Sequence, residues 1–302
     1  MKDQDNFSNP TPMIKFWNKL PLIARAILVG FIVNTLGVGI WLLGASFIPA
    51  PWSILFMVVI LFIYWQYFSG NWGPPNSTRL FRQSSFRKTS FNKPVRTWSV
   101  VAAFLLFVFL NAALVLTFRI VEFQPDTFKT ARYLETVPTW LAWAFLIMAS
   151  MVAGICEEIG FRGYMQAPME KKYGPVVAIT ITSVVFVVVH LHQAWAGGLL
   201  IHIFVVSFMI GYLAYATNSL LPGILAHTAF DIVNFSYWWS DVAGNFERKP
   251  IGMTGVDAHF IITAIIVGTV TVLFVISIKK LLVLKKRQGS FDPHPNLPGN
   301  IG

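Results

Sequence analysis

The sequence predicts an all-α protein: a polytopic membrane helix bundle of about eight transmembrane helices. Three observations point there. Of 302 residues, 55% are hydrophobic and only 12% charged, whereas a soluble domain carries about 25% charged residues to cover its surface. The apolar residues gather into runs close to the roughly 20 that a helix needs to cross the hydrocarbon core. Aromatics reach 15%, with 27 Phe and 11 Trp, as suits side chains that pack within a bundle or face lipid. A soluble globular enzyme, a disordered chain and a disulfide-stapled secreted domain are excluded. Cys156 is the single cysteine, so neither an intramolecular disulfide nor a cysteine-rich metal cluster can form.

Taken in order, the expected spans are 26–48, 52–69, 98–118, 139–156, 175–191, 198–217, 222–240 and 259–278. Each is bounded by breakers: Pro49 and Pro51, Pro74-Pro75, Pro138, Pro175, Gly197-Gly198 and Pro222-Gly223. The first span starts too late and runs too long for a cleaved signal peptide, so it reads as a retained anchor. No internal repeat or low-complexity tract stands out. An even number of spans puts both termini on one side. That side collects Lys2, Lys15, Lys19, Arg25, the six basic residues from Arg79 to Arg96, Arg162, Lys171, Lys172 and the five from Lys279 to Arg287. The other side keeps Arg119, Lys129, Arg132, Arg248 and Lys249. The positive-inside rule makes the basic side cytoplasmic, in a multi-pass protein of the cell membrane. The net charge of +10 therefore reports orientation. The basic 79–96 stretch reads as attraction to anionic lipid, and no nucleic-acid partner is expected.

Ionisable residues inside spans are costly and are read first as functional. Four positions qualify: Glu157-Glu158, His190, His227 and Asp231. Glu158 and Arg162 are four apart, the favourable order for a helical ion pair. Glu157 lies about 100° round the helix from Glu158, so the two carboxylates can hold different jobs. From Glu157 to a turn near Gly174 is about 24 Å of helix, and from Gly174 to His190 the same. A hairpin would therefore bring His190 level with Glu157. His227 and Asp231 share one face at i, i+4, and Asn234 joins it at i+7. His192 and His202 both read as packing residues, although His202 could line the same cavity. Each position alone also has a plain structural explanation; the case rests on their coincidence.

Three motifs carry a resemblance. Glu157-Glu158-Ile159-Gly160-Phe161-Arg162 fits EExxxR, Phe186 to His190 fits FxxxH, and His227 to Asp231 fits HxxxD. In this order they resemble the CPBP family, which includes type II CAAX prenyl endopeptidases, abortive-infection proteins and bacteriocin-processing or self-immunity membrane proteins. The resemblance covers about residues 138–236. It implies a division into motif-free transmembrane helices at 1–137, a catalytic core at 138–236, and a last helix with a basic tail at 237–302. It implies an intramembrane endopeptidase acting on a peptide or protein tail, lipidated or not. Glu157 and His190 would activate water, Glu158 and Arg162 would brace the site, and His227 with Asp231 would stabilise the oxyanion. No HExxH is present, and the favoured reading needs no cofactor. The zinc-dependent alternative would use Glu157, His190, His227 and Asp231 as ligands. Two further classes compete: a non-catalytic immunity or scaffold protein of the same fold, and a transporter, which the lack of repeat symmetry disfavours. Position 231 is Asp where Asn would be the plainer donor. It must be protonated, orient His227, or yield the role to Asn234.

Overall fold

A computed structural model describes residues 12–89, 91–121, 132–193, 197–244 and 249–289. Lys2, Lys129, Arg248 and the tail beyond 289 lie outside the described residues. Among the described residues the chain is helical throughout, without strands. A short α1 (Pro12–Lys19) precedes α2 (Leu22–Phe47) and α3 (Trp52–Phe68). After α4 (Arg79–Ser85) comes α5 (Lys93–Ile120). The helix α6 runs from Thr139 to Tyr173, then come α7 (Pro175–Val189), α8 (Gly197–Thr217) and α9 (Leu221–Asn234). A short α10 (Ile251–Thr254) leads to α11 (Ala258–Gly289).

Each of the eight expected spans falls on a helix. Five are long and apolar enough to cross a membrane by themselves: α2, α5, α6, α8 and α11. The others are shorter for local reasons. Helix α7 has 15 residues, about 22 Å at 1.5 Å per residue, and ends at Val189 short of a roughly 30 Å hydrocarbon core. Helix α9 has 14 residues and passes into a π-helical turn at Phe235–Trp239. Helix starts follow the sequence chemistry. Pro94, Pro175 and Pro222 sit in the first turns of α5, α7 and α9, where a missing N–H costs nothing. The Asn92 side chain also caps α5 by accepting from Val95 N at 3.0 Å.

Helices α2, α3 and α11 expose rows of Leu, Ile, Val and Phe, among them Ile32, Leu43, Phe62, Ile265 and Val272. Their solvent is hydrocarbon. Inside, Leu106, Leu110 and Phe118 of α5 pack with Ile210 and Leu213 of α8 and Phe274 of α11. A second cluster joins Trp41 of α2 and Met57 and Leu61 of α3 to Cys156 and Ile159 of α6.

The helix ends gather on two faces. On the first, Arg87 donates from Nε to Arg162 O (3.1 Å) and from Nη2 to Glu170 Oε1 (2.7 Å) near the end of α6. There too the Asn218 amide bonds Thr89, and Lys285 of α11 reaches Tyr215 O of α8 at 2.7 Å. On the opposite face Arg119, ending α5, holds Asp257 (2.8 Å), Thr254 (2.9 Å) and His259 (2.7 Å). Hydrogen bonding to Arg119 holds the Asp257 carboxyl below the usual carboxylate range. In the basic 79–96 stretch Arg79, Lys88, Lys93 and Arg96 are exposed, whereas two others serve the fold. Arg82 and Arg87 turn inward, and Arg82 donates to the carbonyls of Tyr67, Trp72 and Gly73. A loop that turns back on itself leaves carbonyls without helical partners, and a guanidinium with five donors satisfies several at once.

The feature absent from the sequence reading is a π-helical stretch in α6 at Glu158–Gln166, all nine residues of it buried. Its Gly160 meets Gly30 of α2 so closely that a Cβ at Gly160 would lie 2.8 Å from Gly30 O and from Asn34 Cβ. Small residues let helices approach this way in lipid. Gly160→Ala is therefore expected to destabilise by about 1–3 kcal/mol, the usual cost of overpacking. Gly39→Ala, where a Cβ meets nothing within 4 Å, is the control. Equal melting temperatures for the two variants in detergent would sink the close-crossing argument.

Candidate active site

The π-helical stretch follows directly on Glu157. It sets Glu158 and Arg162 into the packed interior, where both side chains are wholly buried and Arg162 Nη1 lies 3.1 Å from Glu158 Oε1. Arg162 Nη2 donates to Ser207 Oγ of α8 at 3.0 Å. Its guanidinium also lies over the Phe186 ring, 4.7 Å from the centroid. A cation in low dielectric needs such partners, although Arg162 Nε is buried without a hydrogen bond. The Phe of the FxxxH motif thereby acquires a physical reason. The same ring packs against Phe161 (5.1 Å) and His190 (4.4 Å), one helical turn away. Its carbonyl accepts from His190 Nδ1–H at 2.7 Å. That bond fixes the tautomer and leaves Nε2 with a lone pair.

Helix α6 turns at Gly174, whose φ of +81° suits glycine, and α7 starts at once at Pro175. Glu157 and His190 then border one cavity of about 430 Å³, together with His227, Asp231, Asn234 and His202. Its remaining wall is mainly apolar, including Leu114 of α5, Phe186 and Trp239. His192, read from the sequence as packing, also borders it.

His227 is the hub. Its Nδ1 lies 2.9 Å from Glu158 Oε1, while Nε2 lies 3.5 Å from Asp231 Oδ2 and 3.9 Å from Glu157 Oε2. A carboxylate can only accept, so Nδ1 carries the proton. The Glu158–His227 contact was not legible in the sequence, because 69 residues separate the partners. Gly223, one turn before His227, gives a partial signal in retrospect. A Cβ there would stand 3.3 Å from Glu158 Oε2, so glycine keeps room for the carboxylate. Asn234, expected on this face, lines the cavity with its Oδ1 buried and without a hydrogen-bond partner.

Among the described residues no group of three or more His, Cys, Asp or Glu side chains is arranged to hold a metal ion. Glu157, His190, His227 and Asp231 border the same cavity without being drawn together in that way.

Two carboxyl groups, Glu157 and Asp231, and two histidines, His190 and His227, thus border one cavity inside a helical membrane bundle, the kind of convergence from which a hydrolytic site can be built. Residues 138–233, about a third of the chain, match the family model described as Type II CAAX prenyl endopeptidase Rce1-like. The resemblance to the CPBP and CAAX protease family is thus shown over this segment, which holds all three motifs. No curated protein and no solved structure matches the chain.

Proposed function

We propose that the protein is an intramembrane endopeptidase that hydrolyses peptide bonds of membrane-associated peptides or protein tails. The observation that carries this is the convergence of Glu157, His190, His227 and Asp231 on one cavity, floored by the buried Glu158–Arg162 pair. Glu157 is half-buried at the cavity wall and takes a proton from water, the role of a general base. His190, held by the Phe186 carbonyl, presents Nε2 as an acceptor that orients the same water. Attack on the scissile carbonyl builds charge on its oxygen, and donors placed there lower the barrier. His227 donates from Nε2 when both ring nitrogens are protonated. Asp231 in its acid form, or the Asn234 amide, supplies the second donor. Glu158 keeps His227 aimed, and Arg162 balances Glu158.

The same proposal sets the protein in the cell membrane with the basic face on the cytoplasmic side, and both termini with it by the even number of spans. The test of activity is incubation in detergent with a peptide library, comparing wild type with Glu157→Ala. Glu157-dependent cleavage supports the enzyme; its absence leaves a non-catalytic immunity or scaffold protein of the same fold.

Asp231 separates the chemistries. Where the site only donates hydrogen bonds to an oxyanion, Asp231→Asn keeps or raises cleavage, because an amide donates at every pH. Where a zinc ion is held, the same change swaps an anionic ligand for a poor neutral one. Collapse of cleavage in Asp231→Asn, with stoichiometric metal in the purified wild type and loss of activity to chelators, would overturn the metal-free reading.

A further inference from the structure

The two halves of the bundle are built differently, and the difference assigns a side to the cavity. Arg87, Glu170, Asn218 and Lys285 mark one face: Arg87 and Thr89 just before α5 bond to α6 and to Asn218 just before α9, and Lys285 near the end of α11 bonds to the end of α8. Behind that face the bundle is packed where α6 meets α2 and α8, although grooves of about 490 and 160 Å³ run beside it, between α5 and α9 and between α2 and α6. The π-helical stretch 158–166 is wholly buried, Gln166 donates to Gly211 O at 3.0 Å, and Gly163 and Gly160 press against Ser85 and Asn34. The cavity lies beyond this floor. Counting along each helix from the solid face at 1.5 Å per residue, Val38 and Leu42 stand about 24 and 30 Å up α2. Glu157 stands about 24 Å up α6, and His190 about 22 Å up α7. His227 stands level with Glu157 and Glu158, because Thr228 packs against Gly154 and His227 Nδ1 meets Glu158 Oε1 at 2.9 Å. Leu42 and His192 are exposed at the rim. Helix α7 stops at Val189, and among the described residues only the short turn Leu191–Gln193 follows His190 before α8.

The solid face carries the basic helix ends, including Arg79, Lys88, Lys93, Lys171, Lys172 and Lys279. The positive-inside rule places such a face in the cytoplasm. The cavity wall, moreover, holds Glu157 and Asp231 and neither Lys nor Arg. Capture of a free C-terminal carboxylate needs a cation or a nest of backbone N–H groups, and two resident carboxyl groups oppose it. We infer that the cavity opens to the extracytoplasmic side and takes an apolar internal segment of an exported or outward-facing chain, not the free end of a cytoplasmic tail. This rests on reading the cavity as a peptidase site.

The experiment uses right-side-out and inside-out membrane vesicles. A membrane-impermeant maleimide reports on His192→Cys and Leu42→Cys at the rim and Lys88→Cys on the solid face; native Cys156 is fully buried and serves as the silent background. Charged, impermeant, internally quenched peptides with apolar centres, amidated or with free C-termini, are added to vesicles holding wild type or Glu157→Ala. Both rim cysteines are expected to label at least tenfold faster in right-side-out vesicles and Lys88→Cys in inside-out ones. Glu157-dependent cleavage should appear only in right-side-out vesicles, with amidated peptides cut at least as well as free acids. Rim labelling or Glu157-dependent cleavage confined to inside-out vesicles overturns the inference and leaves the peptidase reading standing. A strong preference for free C-termini overturns the substrate class. Labelling as expected with no Glu157-dependent cleavage in either orientation supports the outward opening but overturns the peptidase reading, and the substrate class falls with it.

Discussion

Glu157→Gln is expected to lower peptide hydrolysis by about 10²–10⁴-fold, the usual worth of a general base, while the protein still folds and inserts. The amide keeps the shape of the carboxylate but cannot accept a proton from water. Glu157 is also the carboxylate on which the packing depends least. Its oxygen stands 3.9 Å from His227 Nε2, whereas Glu158 is in contact with both His227 and Arg162. The melting temperature in detergent should therefore move little, and the loss should fall on kcat rather than on KM. His190→Gln should also lose activity, because it removes the acceptor that the Phe186 carbonyl orients. Near-wild-type turnover in Glu157→Gln would remove Glu157 from the mechanism and shift attention to the inner ring of Glu158, His227 and Asp231.

The parts of the site that were legible in the sequence are those carried by local periodicity. Charge inside an apolar run marks Glu157, Glu158, His190, His227 and Asp231, because hydrocarbon makes such residues expensive. Spacing of four places Arg162 under Glu158 and Asp231 beside His227. Equal arms about Gly174 place His190 and Glu157 at one height. What sequence could not supply depends on contacts between distant segments or on departures from a regular helix. Nothing in Glu158–Gln166 announces a π-helical stretch. Its two glycines are explained only by the approach of Gly30 and Ser85. The same holds for Ser207, an unremarkable serine in an apolar run until Arg162 is seen to donate to it. Arg82 and Arg87 show the same limit: four basic residues of their stretch are exposed, yet these two, alike in sequence, are buried against carbonyls and Glu170. The helix count was legible because each span is bounded by Pro or Gly. That α7 and α9 are short followed only from where α7 stops and where α9 changes hydrogen-bonding pattern.

Arg162→Met should be the most destabilising single change in the site. Arg162 is among the largest fully buried side chains, and its removal leaves the Glu158 carboxylate facing only His227. Breaking a buried pair by removing one partner costs about 3–5 kcal/mol, because the other charge stays desolvated. Glu158 has little to fall back on, since its Oε2 is buried without a hydrogen-bond partner. Lower yield and a markedly lower melting temperature are expected, with activity lost alongside. A purely structural role and a positioning role then separate in the double variant Glu158→Leu/Arg162→Met. Replacing both charges with apolar groups of similar volume removes the stranded carboxylate, and such replacements are often neutral or stabilising, so the melting temperature should recover. Cleavage should not recover, because His227 Nδ1 has lost the acceptor that aims its Nε2 at Asp231 and the cavity. Glu158→Gln tests the same point from the other direction. Its amide oxygen still accepts from His227, so it should retain more activity than the stable double variant even though it strands Arg162. A double variant that regains both stability and turnover would show that Glu158 only balances Arg162 and has no part in positioning His227.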